Sequence, residues 1–303
     1  MKTILILGNK GMLGATLEKY FNLQGDKYNV RGLNRSSFDA TKLQLYDNID
    51  FSVYDYVINC IGVTSGIIKR DREEESFEEH LTHPTHEVIQ VNSVLPWWLT
   101  TKTRNLIHIS TDCVFKPDNY CEAYGIYSES YATDLYGMTK RLGEVRFNGM
   151  TLRCSFIGPS LNGDGVGLFD WLVRESKKKR AFIYGYTNHY WNGITSLHLA
   201  RFINKIIDNE DSFDYGIHHL YSPEKITKYD LCCMVNEVFD LNLHISKYDD
   251  CEGSRSNYTN RCLSNLNMYG FPEEEISKIS ELMNKSLKSQ LIELKEFIKE
   301  NYK

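Results

Sequence analysis

The stretch Ile4-Leu5-Ile6-Leu7-Gly8-Asn9-Lys10-Gly11-Met12-Leu13-Gly14 decides the fold. An unbroken apolar run before a glycine reads as a strand buried on both faces, the pattern of a parallel sheet covered on both sides. The run predicts a strand over Thr3–Leu7 and a helix over Met12–Leu23, joined by a GxxGxxG turn. In such a turn Gly8 permits the tight reversal, Gly11 lets the backbone approach a pyrophosphate, and Gly14 lets the helix pack on the strand. Asn9, Met12 and Leu13 complete the loop, and the helix N-terminus offers free N–H groups to phosphate. The turn predicts a dinucleotide site; a merely tight strand-to-helix connection is the alternative.

Outward from this loop the first half alternates strand and helix. Further strands are expected at Tyr28–Gly32, Tyr56–Cys60 (YVINC) and Leu106–Ile109 (LIHI), with a helix from about Thr85 to Lys102 interrupted by Pro96. Repetition of strand, helix, strand implies right-handed crossovers between parallel strands. The fold class expected is therefore α/β, a Rossmann-type doubly wound parallel sheet with a smaller, mostly C-terminal α/β substrate-binding region. After about Arg153 the rhythm changes. Loops at Ser160–Gly167 and Tyr186–Gly193 separate helices near Leu168–Lys178 and Ser196–Asp208, followed by a strand at Gly216–Leu220 and a helix at Lys228–Phe239. A last amphipathic helix carries Leu287, Leu291, Leu294 and Ile298 on one stripe. Residues 1–155, completed by the strand near 216–220, are expected to form the NAD(P)-binding domain, with 156–303 as an interleaved cap.

Composition narrows the function classes. The chain has 303 residues, 42% of them apolar and 25% charged, ordinary globular values. A net charge of -5 argues against a nucleic-acid surface. Eight scattered cysteines without a CxxC pair read as reduced thiols of a cytoplasmic protein. The opening MKTILILG is too short for a signal-peptide core, and no apolar run reaches the roughly 20 residues of a membrane span.

Three further stretches carry chemistry. The second strand runs toward Asn34-Arg35 with no acidic residue before Asp39. An arginine there suits the 2′-phosphate of NADPH, whereas a carboxylate would favour NADH, which stays open as the cofactor. Tyr136 and Lys140 are four apart in a helix expected over Leu135–Arg146, so phenol and ammonium share a face. A cation beside a phenol favours the phenolate and would bring Tyr136 down toward working range. Finally, Leu106–Ile109 leads into Ser110-Thr111-Asp112-Cys113-Val114-Phe115 at the carboxyl end of a central strand, where open α/β sheets bind ligands. A hydroxyl there can donate to a carbonyl oxygen under reduction.

With those segments in order, the chain resembles the extended short-chain dehydrogenases, and within them the dTDP-4-dehydrorhamnose reductase group. The likeness rests on Ser-Thr-Asp-Cys-Val-Phe, on Tyr-Gly-Met-Thr-Lys-Arg-Leu-Gly-Glu and on Leu152-Arg153-Cys154-Ser155. It extends through Val57-Ile58-Asn59-Cys60, Val91-Asn92-Ser93, Trp191–Thr195 and His218–Tyr229. The resemblance implies Thr111, Tyr136 and Lys140 as the catalytic set. It implies cofactor contacts at Gly11, Met12 and Leu13, at Asn34 and Arg35, at Asp39 and Ala40, and at Cys60, Ile61 and Gly62. Thr111, Asp112, Cys113, Phe156 and Trp191 are the substrate-side candidates. The activity implied is NADPH-dependent reduction of an NDP-4-keto-6-deoxyhexose in deoxysugar synthesis for polysaccharide, with a homodimer left open.

The chain also departs from that pattern. A charged run, KRDREEESFEEH, lies within a long insertion over 64–87, and Phe156 stands where the family usually has tryptophan. Cys113 sits two places after Thr111, the offset at which related epimerase/reductases carry an acid/base cysteine, yet Gly163–Gly167 offers no partner acid. A bifunctional 3,5-epimerase/4-reductase is thus the alternative enzyme. A non-catalytic NADP-binding regulatory subunit, like the methionine adenosyltransferase β subunit, is the alternative from another class. His80, His83 and His86 have a metal-like look, but Pro84 interrupts their helix and no metal is expected. The run Lys177–Arg180 reads as cations at a helix C-terminus.

Overall fold

A computed structural model describes residues 1–65, 67, 83–117, 123–160, 165–209, 215–249, 251–252, 255–256, 259–264 and 280–302. Most of the charged stretch 64–87, including His80, and part of the loop Ser160–Gly167 lie outside them. Strands β1 (Lys2–Leu7), β2 (Tyr28–Leu33), β3 (Tyr56–Asn59), β4 (Leu106–Ser110), β5 (Gly149–Cys154) and β6 (Gly216–Leu220) form a six-stranded sheet in the order β6-β5-β4-β3-β1-β2. Every neighbouring pair in it is parallel. This is the doubly wound α/β fold that the sequence predicts.

The first strand shows why the apolar run was decisive. Ile4 and Ile6 enter one core with Leu17 and Phe21 of α1 (Met12–Asn22) and Leu199 and Ile203 of α6 (Ser196–Asp208). Leu5 and Leu7 enter the opposite core with Leu95 and Leu99. A third core in the second half joins Phe169 and Leu172 of α5 (Leu168–Ser176) to Leu231 and Val235 of α7 (Lys228–Phe239) and to Leu287 and Leu291 of α8 (Leu287–Asn301). The chain leaves β1 toward β2 on one side and later reaches β3 on the other. The carboxyl ends of β1 and β3 therefore flank a topological switch point, where such sheets hold ligands.

Four local readings need correction. Pro96 does not interrupt its helix. The break comes a turn earlier, as a π-turn at Gln90–Val94 between α2 (His83–Ile89) and α3 (Leu95–Thr100). There the Leu95 N–H donates to the Gln90 carbonyl, and this wider turn accommodates a proline that has no N–H of its own. Helix α4 spans Leu135–Leu142 and stops short of Arg146, with Gly143 at its C-cap. Tyr186–Gly193 is not all loop: a strand at His189–Trp191 pairs with Ile226–Thr227 and with Thr259–Asn260, partners too distant in sequence for a local pattern to announce. Nor does the sequence pattern announce the strand Phe182–Tyr186, which pairs in parallel with His244–Tyr248.

Candidate active site

The glycine loop is built by backbone demands. Gly8 has φ +83°, a left-handed conformation that side chains disfavour, and its N–H donates to the Leu33 carbonyl at 2.7 Å. A Cβ on Gly14 would lie 2.2 Å from the Gly8 carbonyl oxygen, so only glycine lets α1 pack this closely on the turn. The N-terminus of α1 has no side-chain cap and no acidic residue in its first turn. Its first residues, Met12 and Leu13, line an open trough, and an uncapped helix N-terminus there suits a diphosphate.

That trough has two adjoining lobes sharing Gly11, Cys60, Ile61 and Gly62 as walls. The outer lobe, about 340 Å³, is lined by Gly8, Asn34, Arg35, Asp39 and Ala40, and by Lys10, which the sequence reading missed although it lies inside the glycine turn. The inner lobe, about 380 Å³, is lined by Met12, Leu13, Ser110, Tyr136, Lys140 and Phe156. Asn34 shapes the outer turn by accepting from the Ser36 N–H and hydroxyl. The Asp39 carboxylate is held below its usual range by the Thr41 hydroxyl and N–H and by nearby Lys42. Asn9 and Gly14 do not line the trough. Asn9 is buried beneath the loop, donating to Glu18, while its Oδ1 finds no partner among the described residues.

Helix α4 presents Tyr136 and Lys140 to the inner lobe. Asp134 caps it by accepting the Gly137 N–H at 2.8 Å. A Cβ on Gly137 would lie 2.2 Å from the Cys113 carbonyl oxygen, so glycine allows the helix to seat against the Asp112–Val114 turn. This contact sets the Tyr136 phenol close enough to the Thr111 hydroxyl for that group to act on its titration. On its other side the helix is tied to the π-turn, where Ser93 donates to the Thr139 carbonyl and Asn92 bonds the Thr139 hydroxyl. Asn92 also holds both the N–H and the carbonyl of Val63 at 2.9 Å, fixing the loop that carries Ile61 and Gly62. Single π-turns inside helices are frequent at functional sites.

The electrostatics differ from the sequence expectation at Tyr136. Burial pushes its phenol above the ordinary value, and the nearby Thr111 hydroxyl only partly offsets this. The lowering expected from Lys140 is not among the main influences on Tyr136, and the Lys140 ammonium donates to the Ile109 carbonyl at 2.6 Å. Lys140 itself is buried and brought down to about 8 by desolvation. Burial pushes the Cys113 thiol up to about 12.

Among the substrate-side candidates, Phe156 lines the inner lobe and Asp112 accepts from Thr111 at 3.1 Å. Cys113 sits on the same turn, its N–H donating to the Thr111 hydroxyl at 3.2 Å. Trp191 is not brought to the trough. It is buried in the third core, its indole N–H donates to Ser155 at 2.7 Å, and Lys228 lies over its ring.

A search of curated proteins finds no sequence match. Solved structures match over nearly the whole chain. A dTDP-4-dehydrorhamnose reductase of Clostridium acetobutylicum is 19% identical, with 98% of this chain and 99% of that chain covered and a TM-score of 0.73. One from Bacillus anthracis, in complex with NADP, is 17% identical over 99% of each chain with a TM-score of 0.74. A UDP-glucose 4-epimerase of Thermotoga maritima, with UDP-glucose, is 15% identical over 99% of this chain and 100% of that one, TM-score 0.69. These likenesses establish the fold. With residues 1–252 matched by the family model described as the RmlD substrate binding domain, this chain belongs to that family.

Proposed function

We propose that this protein is an NADPH-dependent reductase of an NDP-4-keto-6-deoxyhexose, serving deoxysugar synthesis for polysaccharide. The observation that carries the reading is that Tyr136, with Thr111 beside its phenol, and Lys140 line the inner end of a trough that begins at an uncapped glycine loop. The solved neighbours named as dTDP-4-dehydrorhamnose reductases, one of them holding NADP, support it.

The residues fit the cofactor. Uncapped N–H groups around Gly11, Met12 and Leu13 would hold the diphosphate, and Arg35 with Lys10 would face an adenosine 2′-phosphate. Cys60, Ile61 and Gly62 wall both lobes, and Lys140 would reach the nicotinamide ribose. When bound, NADPH supplies a hydride to the sugar's C4 carbonyl carbon. Tyr136 donates its phenolic proton to the carbonyl oxygen. Burial favours this role, since a raised phenol is still protonated at neutral pH. Thr111 orients the same oxygen, and Phe156 offers a ring face to the sugar. Residues 1–155 with the 216–220 strand hold the cofactor, and 156–303 cover the substrate. A base at Cys113, which an epimerase would need, is disfavoured by a thiol raised to about 12.

The test offers NADPH, and NADH in parallel, with dTDP-, UDP- and GDP-linked 4-keto-6-deoxyhexoses and follows cofactor oxidation. Oxidation by at least one sugar is expected, faster with NADPH, and Tyr136→Phe should bind NADPH normally while turnover collapses. Cofactor binding with no oxidation by any of the three would instead fit a regulatory subunit. In deuterated water a simple reductase leaves C3 and C5 unlabelled.

A further inference from the structure

His108 faces Asn59 across the β3–β4 pair, and both side chains are fully buried. Asn59 Oδ1 accepts the Ile61 N–H at 3.1 Å, which turns the amide nitrogen toward His108 Nδ1, also at 3.1 Å. An amide NH2 only donates, so Nδ1 must accept and the ring proton sits on Nε2. That Nε2 lies 3.5 Å from Lys140 Nζ. An ammonium group carries donors alone, so this contact sets donor against donor. An uncharged amine has a lone pair that can accept the imidazole N–H.

We propose that His108 is a positioning residue which, locked by Asn59 as the neutral Nε2–H tautomer, favours the amine form of Lys140 and loosens its hold on its proton. The proposal deepens the reductase reading and rests on Tyr136 and Lys140 being the working pair. The other ionisable groups around Lys140 are Tyr136 and Glu144 from its own segment, Cys60 beyond β3 and Cys154 on β5. The one carboxylate among them, Glu144, is already engaged by Arg153 and Ser110. Burial and the nearby Lys140 hold His108 well below its usual range, so the ring stays neutral at working pH. Because Asn59 closes the far nitrogen, the ring has no onward path for a proton. His108 tunes Lys140 and does not relay.

The experiment is NMR titration of full-length protein labelled with 15N-histidine and 15N-lysine. His108 should show the neutral Nε2–H tautomer at neutral pH, identified by the loss of its signals in His108→Gln. Lys140, identified with Lys140→Met, should lose its proton near pH 8. In His108→Gln, whose side-chain oxygen can accept from an ammonium, that midpoint should rise by about one pH unit. An Nδ1–H tautomer, a charged ring, or an unmoved Lys140 midpoint would overturn the proposal. Should His108→Gln not fold, the tautomer in the unsubstituted protein still decides. Neither reading needs substrate, so inactive keto sugars beside the expected titration would sink the reductase and spare His108, and the reverse result would do the opposite.

Discussion

Strand β4 offers two polar side chains two residues apart, His108 and Ser110, to two charged residues four apart, Lys140 and Glu144. The two rungs are neighbours, equally buried, and opposite in character. At the Ser110 rung every group is matched. Arg153 grips Glu144 through two bonds of 2.7 Å, Ser110 donates to the same carboxylate at 2.9 Å, and the Phe115 ring lies 5.0 Å from the guanidinium. Arg153 also donates to His219 Nε2 at 3.3 Å, whose Nδ1–H is bonded to the Ser264 carbonyl at 2.9 Å. At the His108 rung the proposed tautomer sets an imidazole N–H against the Lys140 ammonium 3.5 Å away. A satisfied buried network holds a fold in one arrangement, whereas a mismatched one leaves a charge easy to change. The first rung joins the sheet to the second half of the chain through His219 and Ser264, and both rungs border the lobe where Tyr136 sits, one through Ser110 and the other through Lys140.

The sharpest way to break this comparison is Glu144→Gln, which strips the counter-charge from Arg153. Removing one partner of a buried pair costs about 3–5 kcal/mol, and denaturant unfolding should show a loss of that size. The Lys140 rung should respond in the opposite sense. Lys140→Met should leave unfolding stability unchanged or raised, because it deletes a poorly matched buried ammonium. Turnover in the keto-sugar assay should nevertheless fall about a hundredfold. A stability loss as large as that of Glu144→Gln would show the two rungs to be alike.

How much of this was legible beforehand follows the range of the interactions. The glycine loop could be read because its demands are local, a positive φ at Gly8 and contact distance at Gly14. The helices Ser196–Asp208 and Lys228–Phe239 match the expected bounds, since Thr195 and Thr227 cap them from within a few residues. Tyr136 and Lys140 could be paired from their helical spacing. His108 could not be singled out. In LIHI it reads as strand filler, and its meaning comes from Asn59, 49 positions earlier, and Lys140, 32 later. Trp191 misled for the same reason: its motif fits a sugar pocket, but its partners Ser155 and the third core are set by tertiary packing.

Acid should strain the matched rung. His219 is buried and brought down to about 4 by desolvation, against an ordinary histidine value near ~6.5. Its neutral form accepts from Arg153, and a proton on Nε2 would face that guanidinium. The unfolded chain takes up this proton near pH ~6.5 and the folded chain only near pH 4, so the stability contribution is full above the first value and drains away between them. At pH ~5 the loss attributable to His219 is about 2 kcal/mol. His219→Gln should flatten that part of the decline in denaturant curves taken at the two pH values. His198, also brought down to about 4, keeps its own share of the slope.

The smallest expected effect separates the rungs most finely. Ser110 and His108 occupy adjacent same-face positions on β4, so a substitution at either disturbs the same strand. Ser110→Ala removes one of several donors to Glu144 while leaving both Arg153 bonds in place. A hydrogen bond to a charged group that keeps other partners is worth about 1.5 kcal/mol, and unfolding should register roughly that. The Lys140 midpoint near pH 8 should stay where it is, because Ser110 donates to Glu144 and not to Lys140. Were Ser110→Ala to move that midpoint as far as His108→Gln, the neighbouring rungs would share one electrostatic environment. Lys140 would then be tuned by the whole strand end, and the N–H facing it would have no special part.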